Sequence, residues 1–524
     1  MAQRAQPLGA GIRAGAVVAA LVLLLTLGTL GAVFARAEGV VALGPGDWAA
    51  LRFTLVQATL SAAFSVVLAI PVARALARRA FFGRSALVTL LGAPFILPVI
   101  VAILGLLAVF GRNGLLNQGL QILGVAPLSI YGLQGVVLAH VFFNLPLATR
   151  LILQGWQSIP AERFRLAASL GFGARDVNRW LERPMLRTVL PGAFVVIFVV
   201  CLTSFAVALT LGGGPGATTV ELAIYQAFRF EFDLGRAALL SLVQFALSAL
   251  AAVLAVWVAV PAFGGAGLDR VPQRWDAGGL ACRSADTLWI TLAALFLILP
   301  LWMVVARGLP AIPQLPTSVL TAAIRSLLVA VSSAFLMLGL ALPLAIARVQ
   351  LGRGPAGAAL EVTGALSIAA SPLVIGTGLF IVIFPLTDPV ALALPVTALV
   401  NAVMSLPFAM RVLVPALREA EAAYGRLADS LGMSGLARLR LLVLPRLRRP
   451  IGFATGLAAA LSMGDLGVIA LFADPAQATL PLQLYRLMAA YQMDQAAGAA
   501  LLLLALSLLL FWIFDRGGRG HAAT

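Results

Sequence analysis

Apolar runs long enough to cross a bilayer recur along this chain, and polar residues collect between them. The runs fall near residues 14–35, 53–73, 86–110, 133–156, 190–212 and 237–260, then near 286–306, 318–346, 358–386, 390–413, 451–473 and 497–514. A membrane helix needs roughly 20 predominantly apolar residues. The pattern therefore predicts an all-α membrane protein with about twelve transmembrane helices. Pro71, Pro98, Pro146, Pro343, Pro372 and Pro407 lie inside these runs. In a soluble helix they would argue against helix, but in a membrane bundle neighbouring helices satisfy the freed backbone groups.

Composition agrees with the pattern. The chain has 524 residues, 61% hydrophobic and 11% charged, with mean hydropathy +1.03. Soluble domains are about half apolar and about a quarter charged. The net charge is +16, and all 36 basic residues are arginine. With the N-terminus inside, 28 of the 36 arginines fall on the cytoplasmic side, in 150–187, 261–285, 411–449 and the short segments around Arg4, Arg13, Arg74, Arg78, Arg79, Arg84, Arg348, Arg353, Arg516 and Arg519. The positive-inside rule then predicts that both termini are cytoplasmic. It also accounts for the basic charge without a nucleic-acid partner.

The first run imitates a signal peptide, with Ala35-Arg36-Ala37 as the apparent cleavage site. Ala14 to Phe34 is 21 residues, longer than a signal's apolar core of roughly 7–15, so a retained first span is expected. Cys201 lies in an apolar run and Cys282 in a polar linker, poorly placed to pair. With only His140 and His521 besides, no metal cluster is expected.

Shifted by 261 positions, residues 144–187 align without a gap on 405–448, and 16 of the 44 positions are identical. Composition alone would give roughly four or five. Among the identities are Pro146/Pro407, Arg150/Arg411, Gly171/Gly432, Pro184/Pro445 and Arg187/Arg448. Small changes of register pair Ser61 with Ser333, Pro71 with Pro343, Pro98 with Pro372 and Tyr225 with Tyr485. The chain is read as two parallel six-helix repeats, 1–260 and 286–524, joined by a cytoplasmic linker at 261–285. An even number of crossings per repeat gives both copies the same orientation.

The phrase RLAASLG, Arg165 to Gly171, returns as RLADSLG, Arg426 to Gly432. Residues 161–187 carry six arginines, two glutamates and one aspartate. At about 2.5–3.5 kcal/mol per buried charge, this segment belongs outside the bilayer. Helices at 161–171 and roughly 174–182, and again at 421–432 and 434–444, are expected, each pair hinged at its glycine. A charged loop alone needs only arginine somewhere. It does not need Ala167, Ser169, Leu170, Gly171 and Pro184 at kept spacing in both copies, as a helix docked in a groove does.

This layout, an alanine four residues before a glycine, then nine residues and Φ-x-Φ-P, resembles the EAA loop of permease subunits of ATP-binding-cassette importers. Gly171 leads to Leu181 and Pro184; Gly432 leads to Leu442, Leu444 and Pro445. The resemblance implies a type I importer permease fold in its fused two-half form. It implies that loops 157–189 and 414–450 are coupling loops seated on an ATPase homodimer, through Arg165, Ala167, Gly171, Pro184, Arg426, Ala428, Gly432 and Pro445. ATP and Mg would be bound by that partner and no cofactor by this chain. A periplasmic substrate-binding protein and a bacterial inner-membrane location are implied as well. Two features depart from the family: Arg165 and Arg426 replace the motif's leading Glu, and Arg183 sits where an apolar residue is usual. The stretches Leu202–Leu240 and LSMGDLGVIALF, Leu461 to Phe472, are similar to the thiamine (thiamine pyrophosphate) permease branch. Ferric iron is the alternative cargo. A major-facilitator-type secondary transporter is the rival class, but it leaves the duplicated loop unexplained.

The sequence contains no Walker motif. GGGPG, Gly212 to Gly216, reads as a turn after a span. Asp465 falls within the eleventh span, where a carboxylate is a functional candidate; a structural Asp bonded to neighbouring groups is the other reading. Its aligned position lies near Phe205, beside Thr203 and Ser204, so these four residues are the expected translocation pathway. His140, aligned with Asn401, reads as a bundle histidine. The outer segments 213–236 and 473–495 combine acidic and aromatic residues, among them Glu221, Tyr225, Phe228 and Tyr485, a combination that suits a cationic aromatic cargo.

Overall fold

The computed structural model describes residues 9–37, 42–92, 96–258, 274–352, 354–472 and 475–519, and holds no strand among them. Twelve helices carry the architecture: α1 (Ala10–Ala37), α2 (Pro45–Arg78), α3 (Val99–Phe110), α4 (Leu133–Gln157), α5 (Arg183–Leu202), α6 (Leu234–Trp257), α7 (Leu280–Ala311), α8 (Thr317–Gln350), α9 (Pro372–Ile383), α10 (Ala393–Ser430), α11 (Leu444–Met463) and α12 (Met493–Gly518). Eleven helical stretches among the described residues are long and apolar enough to cross a membrane; Pro372–Ile383 is the shorter one.

That difference from twelve full spans has a local cause. The expected ninth span, 358–386, is broken into Pro355–Ala369 and α9, with Ser371 and Pro372 at the join. The third is broken likewise, into Arg84–Leu90 and α3, which starts after Pro98. Proline is well suited to a first helical turn but pushes its predecessor out of the α region. Each paired proline therefore begins a new helix instead of kinking an old one. Pro71, Pro146, Pro343 and Pro407 stay inside continuous helices. A second correction concerns 421–432, expected as a separate helix. It is the end of the 38-residue α10. In the first repeat Pro160 separates α4 from Ala161–Ser169, while Glu421 occupies the matching position and lets the helix run on.

Within each repeat the same neighbours pack: α2 on α4 and α5, α8 on α10 and α11. The first helix of each repeat packs on the other one, α1 on α8 and α9, and α7 on α2 and α3. Glycines permit this exchange. A Cβ on Gly105 would lie 2.5 Å from the Pro300 carbonyl oxygen, and one on Gly378 would lie 2.6 Å from that of Thr29. The two repeats are thus clasped by exchanged helices around a shared interior. Of the expected linker, residues 261–273 lie outside the described residues, as do His521 and Arg353.

Candidate functional site

Both glycines of the repeated phrase hold left-handed backbone, Gly171 at φ +69° and Gly432 at +65°. The hydrogen bonds match as well. Gly171 N donates to Ala168 O at 3.1 Å and Phe172 N to Ala167 O at 3.0 Å; Gly432 N donates to Asp429 O at 3.1 Å and Met433 N to Ala428 O at 2.9 Å. This is the Schellman helix stop, in which glycine avoids the Cβ clash of the left-handed region. After it comes one α-helical turn, Ala174–Val177 or Gly435–Arg438. A five-residue π-helical segment follows, Asn178–Glu182 or Leu439–Val443, and leads directly into α5 or α11. The π segments fall at the same register in both repeats, so the likeness extends to an uncommon backbone defect.

Ala167 and Ala428 are buried, whereas Leu170 and Leu431 are 62% and 65% exposed. Arg165, Arg426, Pro184 and Pro445 are exposed too. Each loop therefore presents apolar and basic groups at the Arg-rich end of the molecule. Arg165 pairs with Glu162 at 2.8 Å. In the second loop Arg438 binds Glu421, and Asp429 at 2.6 Å. The bond to Glu421, with further help from Asp429, holds the Arg438 guanidinium above its ordinary pKa.

Deeper in the bundle, both fifth spans are interrupted. α5 ends at Leu202 and a short helix resumes at Ala206–Leu211; α11 ends at Met463 and resumes at Gly467–Phe472. Thr203, Ser204 and Phe205 fill the first break; Gly464, Asp465 and Leu466 fill the second. Irregular backbone at membrane depth is tolerated where it is buried in protein or lines a cavity. A cavity of about 310 Å³ lies between the breaks, lined by Thr203, Ser204, Phe205, His140, Asn144 and Gly464 among others. That volume is at the low end of small-molecule pockets, about 300–1,000 Å³. Three of the four expected pathway residues line it. Asp465 does not, although its neighbour Gly464 does. Its counterpart is Ser204 and not Phe205. Asp465 Oδ1 accepts a hydrogen bond from Gly467 N at 3.2 Å.

His140 and Asn144 line the same cavity, beyond the four residues expected from the sequence. A signal for them exists there, since two polar residues at i and i+4 in an apolar run share a face. His140 Nδ1 lies 3.3 Å from Ser61 Oγ. Asn144 Nδ2 approaches Cys201 Sγ at 3.4 Å, and in the second repeat Asn401 Nδ2 donates to Ser462 Oγ at 3.0 Å. In both copies the fourth span thus holds the end of the fifth. Above the cavity, Tyr225 stacks edge-on against Phe205 at 5.3 Å and against Phe230 at 5.8 Å. GGGPG forms a turn, with Gly213 and Gly214 at positive φ.

No protein-family model matches the chain. Full-length relatives do. The thiamine transport system permease protein ThiP of Brucella abortus (strain 2308) is 41% identical over 475 residues, 90% of this chain and 87% of the relative. That of Salmonella typhimurium is 40% identical over 484 residues, covering 91% and 90%. That of Haemophilus influenzae is 33% identical over 515 residues, covering 95% and 94%. This chain belongs to the thiamine transport system permease family. The two loops and the interrupted fifth spans are accordingly parts of a membrane transport subunit. The ferric-iron alternative finds no support among these relatives, and the secondary-transporter reading falls with it. Family and apolar helices together make this a multi-pass inner-membrane protein.

Proposed function

We propose that this chain is the translocating subunit of an ATP-driven importer that moves thiamine or its phosphate esters from a periplasmic binding protein into the cytoplasm. The observation that carries the reading is the pair of matching Schellman loops, exposed at the Arg-rich end of a chain related over its length to thiamine permeases. Each loop seats on one subunit of an ATPase homodimer, which binds ATP and Mg; this chain binds no cofactor. Arg165, Ala167, Gly171, Pro184, Arg426, Ala428, Gly432 and Pro445 form the seats. The buried alanines let each helix pack close, the glycines set the angle, and the exposed side chains meet the ATPase. Closure of the dimer draws the loops together. Because each loop runs without interruption into a fifth span, its movement reaches the breaks at Thr203–Phe205 and Asp465. Both termini lie in the cytoplasm.

The cargo crosses between the two breaks. Thr203 and Ser204 offer hydroxyls, Phe205 an aromatic face to a cationic heterocycle, and Asp465 one negative charge near the path. The test is uptake into vesicles holding this chain with its ATPase and binding protein. Thiamine-loaded binding protein should drive ATP-dependent uptake and stimulate hydrolysis. Stimulation by ferric iron and not by thiamine would overturn the cargo assignment.

A further inference from the structure

The described end of the inter-repeat linker is seated in the angle between the two helices of the first coupling loop. The Arg274 guanidinium lies 5.1 Å from the centre of the Phe164 ring, on the helix Ala161–Ser169. Trp275 Nε1 donates to the carbonyl oxygen of Phe172, the residue after the hinge glycine, at 3.0 Å. Arg274 Nη1 donates to Glu182 Oε1, at the foot of α5, at 2.8 Å. The linker therefore touches the loop before its hinge, at its hinge and after it.

The same cluster continues into two long helices. Arg74 of α2 lies 2.7 Å from Glu182, and Arg78 lies 3.5 Å from Glu182 and 3.9 Å from Asp276. Arg274 also pairs with Asp276 at 2.6 Å. Arg79, just beyond α2, donates to Asp286 of α7 at 2.7 Å and to Ala277 O at 2.8 Å. The side chains of Arg274, Glu182 and Asp276 are 1%, 0% and 0% exposed. Burial raises the Asp276 pKa, but Arg274 and Arg78 outweigh it and hold the carboxylate below its usual range. A buried, multiply paired cluster fixes register and is screened little by salt.

The second loop is braced differently. Arg438, Glu421 and Asp429 all belong to that loop, and Val443 stands where the first loop has Glu182. One loop carries its own brace; the other is braced by the segment that leads into the second repeat.

We infer that the linker is a strap that positions the first coupling loop and carries its displacement into α7, so that one ATPase contact acts on both repeats. Arg274, Trp275 and Glu182 are positioning residues in this scheme. The inference rests on reading the loops as ATPase contacts.

The test compares wild type, Arg274→Ala, Arg274→Lys and Trp275→Phe in the complete transporter reconstituted with its ATPase and binding protein. Thiamine uptake and ATP hydrolysis are measured per assembled complex. Arg274→Ala should lower cargo moved per ATP roughly three- to tenfold, with hydrolysis retained, and Arg274→Lys should recover part of it. Trp275→Phe keeps the ring packing and loses only the bond to Phe172 O; it should lower the same ratio by a smaller factor. If Arg274→Ala does not assemble, Trp275→Phe decides alone. A ratio equal to wild type in assembled complexes overturns the strap. Failure of the wild-type complex to couple hydrolysis to uptake would instead strike at the coupling-loop reading.

Discussion

Ser204 and Asp465 occupy the same position in the two repeats: each is the second residue of the break in its fifth span. A neutral hydroxyl that lines the cavity thus matches a carboxylate that does not, and the two breaks differ at one matched site by that charge.

Asp465→Asn removes that charge while keeping an oxygen that can accept from Gly467 N. A carboxylate at membrane depth is costly unless it faces protein or water, so its loss should not harm folding. Assembly with the ATPase should be retained and cargo uptake per folded complex should drop several-fold. Uptake and thermal stability falling together would mark Asp465 as structural instead.

Gly171 and Gly432 face open space: no atom would lie within 4 Å of a Cβ added at either position. Substitution is therefore penalised by backbone and not by crowding. A side chain in the left-handed region costs about 1–2 kcal/mol, so Gly171→Ala should assemble with modest loss. The double variant Gly171→Trp/Gly432→Trp should insert in the membrane yet fail to bind the ATPase, because the bulk projects from an exposed face. Co-purification of the ATPase checks this, and wild-type transport by the double variant would remove the loops from coupling.

Thr54 and Ser326, on α2 and α8, do the same work in the two repeats. Thr54 Oγ1 accepts from Val220 N at 2.9 Å, and Ser326 Oγ accepts from Leu480 N at 2.8 Å. Each satisfies the first N–H of a ten-residue helix, Val220–Arg229 or Leu480–Ala489. Thr54→Val should leave a buried donor unpaired and cost about 1–3 kcal/mol, read as a lower melting temperature of the detergent-solubilised complex. Thr54→Ser should restore most of it. Thr54→Val and Ser326→Ala should combine additively, since the two bonds share no partner.

Reporter fusions test the topology. An insertion at the exposed Gly278–Gly279 and a fusion after Arg519 should both report cytoplasm. A periplasmic signal at either would break the parallel arrangement.

The sequence by itself determined the membrane class, the duplication and the two loops. These depend on local composition: an apolar run long enough to span, a charge too costly to bury, a glycine at a helix stop. Even Asp465 stood out, because a lone carboxylate in an apolar run needs no partner to be noticed. Tertiary structure alone decided which helices meet. The exchange of α1 and α7 between repeats depends on close approach at Gly105 and Gly378, and apolar periodicity does not name a helix's neighbour. The breaks before α3 and α9 came from prolines that were visible, but whether a proline kinks or divides a membrane helix depends on what satisfies the freed backbone groups. The clustering of Arg274 with Glu182 joins residues 92 apart in sequence. No local pattern announces such a pair, because the low dielectric that makes it matter exists only once the helices have packed around it.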